Sequence, residues 1–85
     1  MNTLLKFQAT WCNSCSVLSR TLKTINMDSV KLIEVDIDQQ PELSKTHDVR
    51  SIPTLILIDS KTNKEIKRCT GVKTKEQLLQ FLGIN

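Results

Sequence analysis

Residues 11–15 read Trp11-Cys12-Asn13-Ser14-Cys15, and this stretch decides how the rest of the chain is interpreted. A short apolar segment precedes it and an apolar-periodic segment follows, which predicts a strand, the two cysteines and then a helix. Cys12 is then expected at the helix N-terminus, where unpaired backbone N–H groups and the helix dipole stabilise a thiolate. Cys15 is expected one turn further along the same face. The stretch therefore predicts a redox pair within one helical turn.

Length and composition restrict the class of protein. The chain has 85 residues, of which 39% are apolar and 25% charged, and no apolar run is long enough to span a bilayer. The net charge of +3 comes from scattered lysines without the basic stripe of a nucleic-acid footprint. The first six residues lack the features of a secretory signal. We therefore expect one domain over residues 1–85, located in the cytoplasm, with no membrane or nucleic-acid partner.

Hydrophobic periodicity predicts seven elements. Apolar or β-branched runs indicate strands, and apolar residues three and four apart indicate helices. Pro41 suits a first helical position, and Thr74–Gln77 has a capping-box sequence before a helix that stops at Gly83. The predicted elements are strand 3–9, helix 13–27, strand 30–37, helix 41–47, strand 52–58, strand 65–70 and helix 74–82. The order β-α-β-α-β-β-α predicts an α/β fold, with a four-stranded mixed sheet flanked by three helices. The apolar positions of the first helix are Cys15, Val17, Leu18, Leu22 and Ile25.

A Cys-x-x-Cys pair serves metal sites as readily as disulfides, so its context has to decide between them. A structural zinc site needs four ligands, and the other soft candidates, Cys69 and His47, are not spaced as a partner pair. We therefore predict neither a metal site nor a bound cofactor. Cys69 is interpreted as a buried small apolar residue on a charged edge strand, and His47 as a half-exposed helix residue. A charged edge discourages strand pairing between chains, and we expect a monomer.

The second informative stretch is Ser51-Ile52-Pro53-Thr54, with a proline where the most apolar strand begins. Proline cannot donate to a sheet ladder, so this position fits a strand entrance. Chain statistics alone favour a trans peptide, because only about one X-Pro bond in twenty is cis.

The motifs together resemble thioredoxin. They are the stretch 11–15, then Val49-Arg50-Ser51-Ile52-Pro53-Thr54-Leu55, then Gly71, with Asp36-Ile37-Asp38-Gln39-Gln40-Pro41 matching the family's second strand and helix start. The resemblance spans nearly the whole chain and implies a minimal thioredoxin fold, close to a glutaredoxin in size. It also implies a thiol-disulfide oxidoreductase acting on disulfide-containing protein substrates. Its electrons are then expected to come from an external reductase or from glutathione.

The resemblance also implies roles for single residues. Cys12 is expected to be the exposed attacking thiol and Cys15 the shielded resolving thiol. The resemblance implies that Pro53 is a cis-proline next to the disulfide and that the backbone of Ile52 pairs with an extended substrate segment. It also implies that Trp11 and Gly71 border the same apolar groove. The alternatives left open are core packing for Trp11 and a plain turn for Gly71.

Two departures from the family predict different behaviour. Ser14 stands where thioredoxin has proline, which leaves another backbone donor near the sulfurs and predicts a less reducing couple. Asn13 and Ser14 are expected to tune the properties of the cysteine pair without reacting themselves.

Lys6 stands where the family has a buried aspartate, and Glu34 stands where it has the partnering lysine, so the two charges look exchanged. We predict that they contact each other and that Glu34, or a water on it, relays the proton of Cys15; the alternative is that both reach solvent independently.

Other functions are less well supported by these residues. A glutathione-dependent glutaredoxin usually has Thr-Val-Pro and a Gly-Gly pair, whereas this chain has Ser51-Ile52-Pro53 and Gly71-Val72. A non-catalytic interaction module, or a metal bridged by Cys12 and Cys15 of two copies, belongs to a different class. Metal analysis and a titration of free thiols distinguish these readings.

Overall fold

The computed structural model describes residues 2–84 and contains the predicted elements in the predicted order. They are β1 (Asn2–Gln8), α1 (Asn13–Leu22), β2 (Val30–Asp36), α2 (Pro41–Thr46), β3 (Thr54–Asp59), β4 (Lys64–Thr70) and α3 (Lys75–Leu82). The strands form one sheet in the order β2-β1-β3-β4, in which β1 is parallel to β2 and antiparallel to β3. β4 lies antiparallel to β3 at one edge. The predicted α/β fold with a mixed sheet is confirmed.

The side chains of β1 and β3 alternate between two faces of the sheet, and both faces are covered. One core joins these strands to α1 and α3, and its members include Leu4, Leu18, Leu55, Leu57, Leu78 and Leu82. The other core lies under α2 and includes Leu5, Phe7, Val35 and Ile56, with Leu43 packed against it. Burial on both faces explains why the inner strands read as continuous apolar runs.

The first helix is shorter than its apolar spacing predicts. It ends at Leu22 instead of near Met27, because the N–H groups of Thr24 and Ile25 bond to carbonyls three residues back, at Thr21 and Leu22. Ile25 still reaches the core from this turn. Val17, one of the apolar positions of the predicted helix, has an exposed side chain.

The remaining differences lie at strand and helix ends. β3 begins at Thr54, after the bend at Pro53, and not at Ile52. The capping box of α3 is present, since the Thr74 hydroxyl accepts from the Gln77 N–H and the Gln77 side chain accepts from the Thr74 N–H. α3 stops at Gly83 as predicted. No described helix is long and apolar enough to cross a membrane.

The strand register brings the two informative stretches to one end of the sheet. Phe7 near the end of β1 lies opposite Thr54 at the start of β3, while Asn2 lies opposite Asp59. The loop that follows β1 carries Cys12, and the bend that precedes β3 carries Pro53. Cys12 and Pro53 therefore lie at the same end of the sheet, and the turn between β3 and β4 lies at the opposite end.

Candidate active site

Cys12 is the N-cap residue of α1, and its sulfur caps the helix. Its Sγ accepts a hydrogen bond from the backbone N–H of Cys15 over 3.2 Å. A disulfide joins the two cysteines, whose Cα atoms are 5.3 Å apart. Cys12 is 7% exposed and Cys15 is 2% exposed, so Cys12 is the more accessible of two largely covered residues. A sulfur held at unpaired helix N–H groups is well placed to carry negative charge once the disulfide is reduced.

The surroundings of the cysteine pair are apolar on one side and polar on the other. Ala9 forms a small cluster with both cysteines, and Ile37 and Ile52 pack against it. The Ser14 hydroxyl lies 3.3 Å from Cys12 Sγ, where it provides a further hydrogen-bonding group for the sulfur. Asn13 begins α1 and is exposed.

The peptide bond between Ile52 and Pro53 is cis. The trans geometry that chain statistics favour is therefore wrong here, and the geometry implied by the family resemblance is present. The Pro53 carbonyl accepts from the N–H of Gly71 over 2.9 Å. Gly71 has φ of +83°, a conformation that an L side chain rarely adopts, and this explains glycine at the position.

Trp11 lies outside the core. Its side chain is 66% exposed, and its indole Nε1 donates to Asp38 Oδ2 over 2.8 Å. Together with Ile52 it borders a groove of about 510 Å³, which we call the indole groove. Pro53 and Gly71 are not among the residues that line it. The lining residues are Trp11, Ile37, Pro41, Ser44, Lys45, Val49, Arg50, Ser51 and Ile52.

Lys6 and Glu34 lie side by side on β1 and β2, in direct register. Lys6 is 1% exposed, and its Nζ lies 3.8 Å from Glu34 Oε2, so the two charges form an ion pair. Lys6 also donates to the side-chain oxygen of Gln8. Burial lowers the pKa of Lys6, and the Glu34 carboxylate opposes that shift. The Glu34 side chain is 51% exposed, so only the lysine end of the pair is deeply buried.

A second cleft lies behind the cysteine pair. It has a volume of about 420 Å³, and both Cys15 and Glu34 line it, together with Gln8. The cleft is open and largely polar, which gives Cys15 a route to solvent that does not pass through the indole groove. Lys6 lies under the adjoining cavity, which shares Ser19, Lys23 and Glu34 with this cleft.

Cys69 and His47 lie away from the pair. Cys69 is half-buried against the core of α1 and α3, and burial raises the pKa of its thiol despite the nearby Lys67 and Lys73. A raised pKa disfavours the reactive thiolate form of Cys69 at neutral pH. The His47 ring packs against Phe7, with ring centroids 5.8 Å apart. Within residues 2–84, no group of three or more His, Cys, Asp or Glu side chains is arranged to hold a metal ion.

The sequence analysis did not predict two of the contacts at the site. Asp38 accepts a hydrogen bond from the indole of Trp11. The sequence identified Asp38 only as part of the stretch 36–41 that matches the family's second strand and helix start. Arg68 of β4 pairs with Glu65 and donates to the carbonyl of His47 over 2.8 Å. This contact ties the edge strand to the segment that leads into the indole groove, and only the folded topology reveals it.

The fold and the site define a dithiol-disulfide protein of the α/β class. The thioredoxin family model matches residues 1–83. The chain is 37% identical over 82 residues to the thioredoxin of Chlamydia trachomatis, covering 94% of this chain and 78% of the relative. It is 37% identical over 83 residues to that of Mycobacterium tuberculosis, covering 94% and 70%. Chloroplastic thioredoxin z superposes with a TM-score of 0.81 at 30% identity, covering 98% of this chain and 76% of the other.

The chain belongs to the thioredoxin family. It is a thiol-disulfide oxidoreductase whose cysteine pair, Cys12 and Cys15, exchanges between dithiol and disulfide. The resemblance stated from the sequence is thereby confirmed.

Proposed function

We propose that Cys12 is the attacking thiol and Cys15 the resolving thiol in the reduction of protein disulfides. The observation that carries this assignment is the hydrogen bond from the Cys15 N–H to Cys12 Sγ at the N-terminus of α1. It stabilises negative charge on Cys12 and not on Cys15. Cys12 is also the more exposed of the two.

The exchange takes two steps. The Cys12 thiolate attacks one sulfur of the substrate disulfide, that bond breaks, and the departing sulfur takes a proton to become a thiol. The Cys15 thiol then loses its proton and attacks Cys12 Sγ. This breaks the mixed disulfide, releases the second substrate thiol and leaves Cys12 and Cys15 joined. Two electrons and two protons pass to the substrate.

A turnover assay on a protein disulfide tests these roles. Cys12→Ser is expected to abolish reduction, because it removes the nucleophile, and Cys15→Ser to stop turnover after one mixed disulfide. Cys69→Ser is the matched control, and it should keep the wild-type rate because its thiol is half-buried with a raised pKa. Full turnover by Cys12→Ser would overturn the assignment.

We also propose that Trp11, Ile52, Pro53 and Gly71 hold the substrate beside the cysteines. The exposed indole and Ile52 border the indole groove. The hydrogen bond from Gly71 to the Pro53 carbonyl supports a shared binding edge. Substrates bind here as extended segments of disulfide-containing proteins, with the enzyme acting as a monomer and a single domain.

The electron donor is an external reductase or glutathione, and a reducing role fits the cytoplasm, where such donors keep thiols reduced. Parallel assays with thioredoxin reductase plus NADPH and with glutathione identify the donor. Turnover with glutathione alone would favour the glutaredoxin-like alternative.

For the resolving step, we propose that Glu34 or a water on it takes the proton of Cys15 across the polar cleft that both residues line. Glu34→Gln removes the base and should slow single-turnover resolution and shift its pH profile. Arg20→Gln changes a charged residue of the same cleft that has no proposed role, and serves as the control. An unchanged resolution rate and pH profile in Glu34→Gln would exclude the relay.

A further inference from the structure

We propose that the indole groove selects substrate segments in which an Asp or Glu side chain accompanies the disulfide on an otherwise apolar stretch. This inference rests on the proposed function, because it names the substrate class of the same site. It follows from three features of the groove: its charge, an unpartnered hydroxyl and its apolar floor.

The two charged residues that line the groove are both cations. Lys45 of α2 and Arg50 both line it, and no carboxylate does. Within residues 2–84, no carboxylate forms an ion pair with Lys45, which leaves its ammonium available to an incoming anion. Arg50 pairs with Asp48 over 3.2 Å, but the two side chains are 85% and 74% exposed, and such a pair contributes little. Arg50 can therefore exchange this partner for a substrate carboxylate.

Asp38 does not line the groove, but its carboxylate accepts a hydrogen bond from the indole of Trp11, which does. The Asp38 carboxylate is therefore already engaged in a hydrogen bond within the protein. The lining of the groove therefore includes a hydrogen-bonded indole and two cations, Lys45 and Arg50.

Ser44 supplies the independent observation. Its hydroxyl oxygen is buried and has no hydrogen-bond partner among the described residues, although the residue lines the groove. A buried hydroxyl without a partner costs free energy, which a bound acceptor recovers. Ser44 and Lys45 both line the groove, so rotation of the Ser44 hydroxyl toward it would offer a donor to a carboxylate bound there.

The apolar part of the groove leads to the cysteines. Ile37 and Ile52 line the groove and also pack against the cluster that contains Cys12 and Cys15. A substrate segment can therefore place apolar residues against these two side chains while its disulfide meets Cys12. Its acidic residue then lies toward α2, a few residues away along the chain.

Cyclic peptides with one disulfide test the preference. Three versions differ only at a flanking position occupied by Glu, Gln or Lys, placed in turn before and after the disulfide. The wild type is expected to show about a threefold to tenfold higher kcat/KM on the Glu peptide than on the Gln peptide at low salt. The ratio should fall toward one at 1 M salt, where the Debye length is about 3 Å.

Variants assign the preference to the groove. Lys45→Glu should abolish or invert the ratio, and Ser44→Ala should reduce it. Lys61→Glu makes the same charge change in the turn between β3 and β4, at the opposite end of the sheet, and should leave the ratio unchanged. Equal rates on the Glu and Gln peptides, or an unchanged ratio in Lys45→Glu, would overturn the inference. Reduction of the Gln peptide by the wild type but not by Cys12→Ser would still support the proposed function, so the two failures are distinguishable.

Discussion

Replacing Lys6 with methionine is expected to stabilise the protein, although it removes one half of an ion pair. The Lys6 side chain is 1% exposed and lies 3.8 Å from a carboxylate that is half in water. At an effective dielectric constant of about 20, that attraction is about 4 kcal/mol, and the desolvation penalty of one buried ion is several kcal/mol. Burial is the larger influence on the Lys6 pKa. We therefore expect Lys6→Met to gain about 1 kcal/mol at neutral pH.

Glu34→Gln is expected to change stability in the opposite direction. It leaves the ammonium buried with Gln8 as its remaining partner, and should cost about 1–2 kcal/mol in stability. This is less than the cost of breaking a fully buried pair, because Glu34 is half-exposed.

The stability gained in Lys6→Met should also shrink as pH rises. Because the folded-state pKa of Lys6 is lowered, the unfolded chain binds more protons between that pKa and about 10.4, and wild-type stability rises with pH there.

Urea unfolding of the oxidised protein at several pH values measures these effects. Lys31→Met, which changes an exposed lysine on β2, is the matched control and should stay within about 0.5 kcal/mol of the wild type. A loss of more than 1 kcal/mol in Lys6→Met would refute the reasoning, because it would mean that the ion pair outweighs the desolvation penalty.

Two further predictions concern the site. The midpoint potential of the Cys12–Cys15 couple, measured by equilibration with glutathione, should be less reducing than the thioredoxin value of about −270 mV, and Ser14→Pro should lower it. A wild-type value at or below that figure would contradict the role of Ser14, whose hydroxyl lies 3.3 Å from Cys12 Sγ. Gly71→Ala should cost about 1–2 kcal/mol in chemical denaturation through its φ of +83° alone, because an added Cβ meets nothing within 4 Å. An unchanged unfolding midpoint would be inconsistent with that account.

The fold was predictable because local signals agreed along the chain. The apolar runs of β1 and β3, Pro41 at the start of α2 and the Thr74 capping box each predict an element that is present. Helix α1 shows the limit of periodicity. Ile25 has helical spacing and is buried, yet it reaches the core from a turn, because burial does not require that the backbone remain helical.

The site was less predictable, because its contacts join distant segments. The position of Cys12 at the start of a helix follows from local sequence, and the contact between Lys6 and Glu34 follows from strand register. The hydrogen bond between Trp11 and Asp38, the contact of Arg68 with His47 and the unpartnered hydroxyl of Ser44 depend on side-chain placement across the fold. Periodicity and motif spacing carry no information about such placement.

Trapping of the mixed disulfide tests the assignment of Cys12 as nucleophile most directly. The Cys15→Ser variant, reduced and then incubated with a protein that has one intrachain disulfide, should gain the mass of one substrate chain, because the departing sulfur stays attached through the polypeptide. Peptide mapping should place that adduct on Cys12, whose sulfur lies at the N-terminus of α1. The Cys12→Ser variant should form no such adduct under the same conditions. An adduct on Cys69, or equal trapping by the Cys12→Ser variant, would contradict the account.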